Sequence, residues 1–130
     1  VGSCVRGAQV WTGVVFRGNC LARARAAGAR FVCEAAALPA RTGALDAVRA
    51  GVATGGACHN RRHVAASLTI GPAVAPEFVT LADDPQTSGG LLAGVPADLV
   101  ATLEDRLDVA GVARRWIGRV GAAGPDVVLV

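Results

Sequence analysis

The chain has 130 residues, 52% of them hydrophobic and 18% charged, which excludes a disordered polypeptide and fits one domain with a single core. Its net charge of +3 comes from 13 arginines that are scattered and not interleaved with aromatic residues, so nucleic acid is not a predicted partner. No apolar run approaches the roughly 20 residues that span a bilayer, and no signal peptide is recognisable. We therefore predict no membrane partner and expect a cytoplasmic location.

Short helices and strands are predicted along residues 1–50, with 1–9 left undecided. The predicted elements are a strand edge or turn over 10–16, a helix over 19–27 capped by Asn19, a buried strand over 30–34, and a helix over 42–50 capped by Thr42. Gly28 and Gly51 follow the two helices at the position where glycine commonly ends a helix. Phe31 and Cys33 alternate with Val32, so they are predicted to share the buried face of the strand.

The second half of the chain contains the longest predicted helix. The predicted elements are a tight turn at Gly55-Gly56, a helix over 60–68, a loop over 70–76, an undecided apolar element over 78–82, a polar loop over 83–90, a strand over 91–95, a helix over 96–109, and strands over 112–120 and 127–130. Leu99, Leu103 and Leu107 predict a buried stripe on the long helix, so Leu103→Ala is expected to cost about 2–5 kcal/mol.

Helices and strands follow one another without strict alternation. This favours an α+β fold: a layered α/β domain with a mixed, largely antiparallel sheet covered by helices.

The cysteines and histidines do not predict a metal site. The four cysteines contain no C-x-x-C pair, and Cys58, His59 and His63 lack a second pair of ligands elsewhere. We interpret every cysteine as a reduced thiol that packs as a small apolar side chain. The two histidines are interpreted as helix-surface or capping residues.

The polar loop over 83–90 carries the strongest functional signal. It holds two carboxylates, an amide, two hydroxyls and two glycines between apolar segments. Glycine lets the backbone approach an anion closely and hydroxyls add donors, so the loop is predicted to face a phosphate or an interface. A plain β-turn is the alternative. It explains less of the composition, because Gln86 and Thr87 have no special role in turns.

Three segments resemble a known family. The run Asp84–Leu92 resembles the "DPQTSGGLL" signature of selenophosphate synthetases at nine consecutive positions. The family pattern "LP … GAL … G … GGT … N" is matched at Leu38-Pro39, Gly43-Ala44-Leu45, Gly51, Gly55-Gly56 and Asn60.

The third segment, which resembles "DVTGFGLLGHL" over residues 10–20, is degraded. Val10 stands where the family has an aspartate of its magnesium site, and a valine cannot ligate Mg²⁺. Ala57 likewise replaces the threonine of "GGT".

The resemblance implies an enzyme that transfers the γ-phosphoryl group of ATP to selenide, with Mg²⁺, to make selenophosphate, AMP and phosphate. It implies that residues 1–130 are a single carboxy-terminal domain like that of aminoimidazole ribonucleotide synthetase, and that the amino-terminal ATP-binding domain is absent. The family's reactive cysteine or selenocysteine and its lysine belong to that absent domain. We therefore predict no catalytic residue, no bound cofactor and no activity in the isolated chain.

The implied partners are the missing amino-terminal domain, a second copy in a homodimer, and small-molecule substrates. The predicted phosphate-facing or interface-facing residues are Gly55, Gly56, Asn60, Asp84, Gln86, Thr87, Ser88, Gly89 and Gly90. Two alternatives stay open: a decayed, non-catalytic interaction module marked by Val10 and Ala57, and a sister ATP-dependent enzyme of the same superfamily.

Overall fold

The computed structural model describes residues 16–85, 91–122 and 124–130. Within these ranges no helix combines the length and the apolar character needed to cross a membrane. The α-helices are α1 (Phe16–Ala27), α2 (Ala44–Arg49), α3 (Gly55–Val64), α4 (Pro76–Asp83) and α5 (Val100–Val109). The strands are β1 (Arg30–Cys33), β2 (Leu68–Ile70), β3 (Gly118–Gly121) and β4 (Val127–Leu129). Short 3-10 turns lie at Ala35–Ala37, Ala65–Ser67 and Ala97–Leu99.

The four strands form one mixed sheet in the order β2-β4-β1-β3. β4 lies between β1 and β2 and runs parallel to both, whereas β3 is antiparallel to β1 at the edge. The predicted layered α+β class and mixed sheet are confirmed. The prediction of a largely antiparallel sheet is wrong, because two of the three described strand pairs are parallel. Parallel strands need long crossovers, and α2 and α3 lie in the connection from β1 to β2.

The core lies between one face of this sheet and the helices α1, α3 and α4. The register aligns Phe31 with Val127, and Cys33 with Leu129, and all four side chains are buried. α1 packs across this face and adds Cys20, Leu21 and Ala24. Phe31 is the one aromatic side chain among the buried residues described, so the core consists mainly of small aliphatic groups and thiols.

The predictions for residues 16–54 hold for the elements and for Gly28 and Gly51, which follow the two helices at φ 60° and 85°, but not for the residues predicted to cap the helix starts. α1 includes the predicted helix over 19–27 but begins at Phe16, so Asn19 lies inside it and does not cap it; residues 10–15 of the predicted strand edge lie outside the description. The strand over 30–34 is confirmed, with Phe31 and Cys33 buried as predicted. α2 confirms the next helix, but Gly43, at φ 80°, stands at its start and Thr42 does not cap it.

The predicted tight turn at Gly55-Gly56 is wrong, because both glycines form the first turn of α3. The helix predicted over 60–68 exists but starts five residues earlier, and Leu68 already belongs to β2. β2 was missed because it is short and stops at Gly71-Pro72, a sequence typical of loops. The undecided apolar element over 78–82 is part of α4, which begins at Pro76, a favoured first position.

The predicted strand over 91–95 is wrong, because residues 91–96 have no regular structure. Leu92 packs against the core instead. The strand over 112–120 shrinks to β3, because Arg114 and Trp116 bind side chains of α5 and hold residues 112–117 against that helix. The final strand over 127–130 is confirmed as β4.

The long helix over 96–109 is confirmed as a 3-10 turn followed by α5, but its predicted buried stripe is wrong. No residue of α5 is buried, and Leu99 is 50% exposed. Leu103 and Leu107 are half-buried. The periodicity identified the helix correctly and misplaced it relative to the core.

This difference predicts unequal effects of two leucine truncations. Leu129 is fully buried, so Leu129→Ala is expected to lower the free energy of unfolding by about 2–5 kcal/mol. Leu103→Ala is expected to lower the free energy of unfolding by about 1 kcal/mol. The Leu103 side chain is only half-buried, so its truncation removes fewer contacts with the protein. Urea unfolding measures both, and Val109→Ala, at a side chain 91% exposed, is the control without effect. Equal losses at the two leucines would contradict the exposed position of α5.

Candidate functional site

A buried ion pair joins the start of α1 to the end of α4. The Arg17 guanidinium donates through Nη2 to Oδ1 of Asp83, and both side chains are fully buried. Arg61 of α3, about half exposed, donates through Nε to the other carboxylate oxygen at 2.8 Å. One carboxylate therefore links three helices. Two arginines around one aspartate leave the cluster with a net positive charge.

The surroundings of Arg17 disfavour its positive charge. Burial, reinforced by the positive charge of Arg61, lowers the pKa of Arg17 to about 10. The guanidinium still carries its charge at neutral pH. Its Nε and Nη1 atoms have no hydrogen-bond partner in the described structure, and an unsatisfied buried donor is costly. Arg17 thus depends on Asp83 to compensate its buried charge.

The same helix end anchors the beginning of the polar loop to α3. Thr54 donates through its hydroxyl to Oδ1 of Asp84 at 2.7 Å, and Asn60 donates through Nδ2 to the carbonyl of Asp83 at 3.2 Å. Gly56 packs directly on the ring of Pro85: a Cβ at this glycine would lie 2.8 Å from Pro85 Cγ. Any larger residue would push the two segments apart. The start of α3 and the start of the loop therefore form one surface.

Four of the predicted site residues meet at this surface: Gly55, Gly56, Asn60 and Asp84. Gly55 is exposed, and nothing lies within 4 Å of where its Cβ would be. The other predicted residues lie outside the described ranges: Gln86, Thr87, Ser88, Gly89 and Gly90. Their roles and the predicted turn into residue 91 stay predictions.

Sequence reasoning missed the residues that build the support. Arg17, Thr54, Arg61 and Asp83 were not among the predicted site residues. One signal was present for Arg17: the family motif "DVTGFGLLGHL" has leucine at the matching position. An arginine that is buried in place of an apolar residue requires a partner for its charge. Nothing local identified Asp83 as that partner, since it lies 66 residues away.

The remaining candidate ligands fall into two groups. His59 and His63 are exposed on α3, as predicted, and Cys58 is exposed rather than buried. No cluster of three or more His, Cys, Asp or Glu side chains suited to a metal ion occurs among the described residues. Cys20 and Cys33 are buried as predicted, and Cys4 lies outside the description.

The ion pair predicts an asymmetric set of stability losses. Asp83→Leu leaves Arg17 buried without compensation and is expected to cost about 3–5 kcal/mol. Arg17→Leu is expected to cost less, because Arg61 still neutralises Asp83. The double replacement Arg17→Leu/Asp83→Leu is expected to recover most of the stability, since an apolar pair needs no desolvation of charge. A double-mutant cycle from urea unfolding measures these terms.

The control for this cycle is Asp46→Leu, which breaks the exposed Asp46–Arg49 pair. It is expected to leave the unfolding midpoint unchanged. Additive losses in the Arg17/Asp83 cycle would show that the two side chains do not depend on each other, contrary to the structure.

Comparison with known proteins gives a consistent result. No protein-family model matches the chain. It is 37% identical over 87 residues to selenide, water dikinase of Nitratidesulfovibrio vulgaris strain Miyazaki F, an alignment that covers 67% of this chain and 25% of that protein. It is 33% identical over 120 residues to selenide, water dikinase of Myxococcus xanthus, covering 92% of this chain and 34% of that protein.

A third relative, selenide, water dikinase 2 of Peptoclostridium acidaminophilum, is 27% identical over 110 residues, covering 84% of this chain and 31% of that protein. The chain thus spans a quarter to a third of the length of these relatives. All three carry the same enzyme name, and the nine-residue run Asp84–Leu92 resembles the signature of the same group. The chain belongs to the selenophosphate synthetase-like family of selenide, water dikinases.

Proposed function

We propose that this chain is the carboxy-terminal part of an enzyme that transfers the γ-phosphoryl group of ATP to selenide to form selenophosphate, while water accepts the β-phosphoryl group, which leaves AMP and phosphate. The observation that carries the proposal is the contact between two motif segments distant in sequence. The Thr54 hydroxyl binds the Asp84 carboxylate, and Gly56 packs on Pro85. Both segments belong to the patterns that resemble the family, and both meet at one surface.

The chemistry of this surface suits a phosphate-facing role. α3 has ten residues, and no side chain caps its first turn in the described structure. The backbone N–H groups at a helix start and the helix dipole favour negative charge. Gly55 leaves that start open, because it has no side chain. Phosphoryl transfer depends on positioning and on neutralising charge, and the sequence that follows Pro85 contains two hydroxyl residues, Thr87 and Ser88.

The support under the surface has a mechanical role in this proposal. Arg17 and Arg61 hold Asp83 from two sides, so the residue that precedes Asp84 is fixed by the core. The backbone at Asp84 and Pro85 thus starts from a fixed point when a substrate or a neighbouring domain approaches. These side chains are therefore positioning residues, not catalytic ones.

Mg²⁺ does not fit the described residues. The Asp83 carboxylate is bound by two arginines, and no cluster of three acidic, cysteine or histidine ligands occurs in the described part. A hard cation needs several oxygen ligands. ATP-bound Mg²⁺ would be held by the larger part of the enzyme, which the chain does not span. We propose that this larger part also provides the catalytic residues and the homodimer contact. We further propose that the whole enzyme is cytoplasmic, as expected for the family.

One observation favours a second function, a non-catalytic interaction module. Ala57 stands where the family pattern has a threonine, and its side chain is 97% buried in the first turn of α3. No hydroxyl is available there for a phosphate. The sister ATP-dependent enzymes are less favoured, because the matched relatives are all named as selenide, water dikinases.

A chimera separates these functions. The matching segment of the Myxococcus xanthus relative is replaced by this chain, and selenide-dependent AMP formation is measured with ATP and Mg²⁺. We expect the chimera to be active and the isolated 130-residue chain to stay at background. A folded but inactive chimera would favour the decayed module. Turnover by the isolated chain would contradict the assignment of catalysis to the missing part.

The loop itself is tested in an active chimera. Gly90→Val and Asp84→Asn are expected to reduce turnover by about 10–100-fold, because small displacements of positioning groups have effects of that size. Melting temperature is followed in parallel, and Leu103→Ala serves as a stability control that leaves turnover unchanged. Thr69→Val, at an exposed position in β2, is the matched surface control. If Gly90→Val keeps full activity at normal folding, the loop is only a turn.

A further inference from the structure

Two cysteines face each other at the centre of the core. Cys20 of α1 is fully buried and Cys33 of β1 is 4% exposed. Their Sγ atoms lie 3.9 Å apart, within range of a thiol–thiol hydrogen bond. The two residues belong to different elements, 13 positions apart, and the packing of α1 on β1 brings them together. This pair plays no part in the proposed phosphoryl transfer.

We propose that Cys20 and Cys33 form a two-thiolate binding site for one soft monovalent metal ion of the Cu(I) class. The separation of the sulfurs supports this. With metal–thiolate bonds of about 2.3 Å, two sulfurs on a linearly coordinated ion lie about 4.6 Å apart. The observed 3.9 Å is about 0.7 Å shorter than this, so the sulfurs need to separate only slightly to admit the ion. A disulfide bond of about 2.05 Å would instead require the sulfurs to approach by nearly half their separation.

The number and type of ligands select the ion. Zn²⁺ in a structural site takes four ligands, and no third His, Cys, Asp or Glu joins this pair among the described residues. Soft thiolates favour Cu(I) among biological metals. An ion that accepts two thiolates is thus a better match for this pair than Zn²⁺ or a hard cation such as Mg²⁺.

Binding of the metal ion requires no redox step. Both thiols release their protons to solvent, two sulfur–metal bonds form, and the oxidation state of the metal is unchanged. The hydrogen bond between the two thiols lowers the pKa of Cys33. The hydrogen bond with Cys33 and burial raise the pKa of Cys20, and the positive charge of Arg23 opposes that rise. The bound complex carries one negative charge, which buried Arg23 partly offsets.

A small cleft borders the pair. A partly open cleft is lined by both cysteines, with Leu92, Ile117 and Gly118 along its walls. Its lining is mainly apolar, and this would keep water from a bound Cu(I) ion. The exposed Cys58 is a natural comparison, because it has a thiol without a second cysteine beside it in the described structure.

The experiment uses the chain with Cys4→Ser and Cys58→Ser, which leaves only the buried pair. Under anaerobic conditions Cu(I) is supplied from a competing chelator, and Ag(I) is a second probe. We expect one ion per chain, the loss of two titratable thiols and a rise in melting temperature. Adding Cys20→Ala or Cys33→Ala is expected to abolish stoichiometric uptake, with circular dichroism as the check on folding.

X-ray absorption of the Cu(I)-loaded chain keeps the test decisive if the alanine variants unfold. Two sulfur ligands and no nitrogen ligand support the site. No uptake by the chain that keeps only the pair, or unchanged uptake by a folded Cys33→Ala variant, overturns it. Formation of a Cys20–Cys33 disulfide in air, together with no metal uptake by the reduced chain, would identify a redox pair and overturn the proposal as well.

Discussion

The buried ion pair between Arg17 and Asp83 is the constraint on which the helical layer depends. Removing two charges from water costs several kcal/mol for each, and the attraction between them compensates only when the geometry is close. Both side chains are fully buried, so α1 and the end of α4 have to remain in contact. Arg61 occupies the second carboxylate oxygen and adds α3 to the same point. Three helices thus take their relative positions from one aspartate.

The position of Asp83 links this core constraint to the surface. It is the last residue of α4, and the next residue, Asp84, opens the polar loop that resembles the family signature. Asn60 binds the Asp83 carbonyl and Thr54 binds the Asp84 side chain, so the backbone at the loop's start is held from several directions. The buried ion pair fixes that point in orientation as well as in distance, because its hydrogen bonds are directional.

The composition of the core explains a second property. With few aromatic residues, the space between α1 and the sheet is filled by small side chains, among them Cys20 and Cys33. Small side chains allow close approach of helix and strand, and this brings two thiols within 3.9 Å. α5 takes no part in the core: it has no buried residue, and Leu99, Val112 and Trp116 around it are about half exposed. The region around α1 and the sheet is therefore closely packed, whereas α5 is largely exposed.

The sequence by itself determined the features that depend on neighbouring residues. The run Asp84–Leu92 identified the family, the alternation of Phe31 and Cys33 identified a buried strand face, and leucine periodicity identified the helix that contains α5. Such signals are local, so they survive without knowledge of the fold.

Only the tertiary structure decided which distant segments meet. It placed β4 between two parallel partners, made Gly55 and Gly56 a helix start where a turn was predicted, and left the leucine stripe of α5 outside the core. Above all, it paired Arg17 with Asp83 across 66 residues. A charged residue in an apolar segment signals that a partner is needed, but the choice of partner depends on the packing of whole helices, which no local pattern contains.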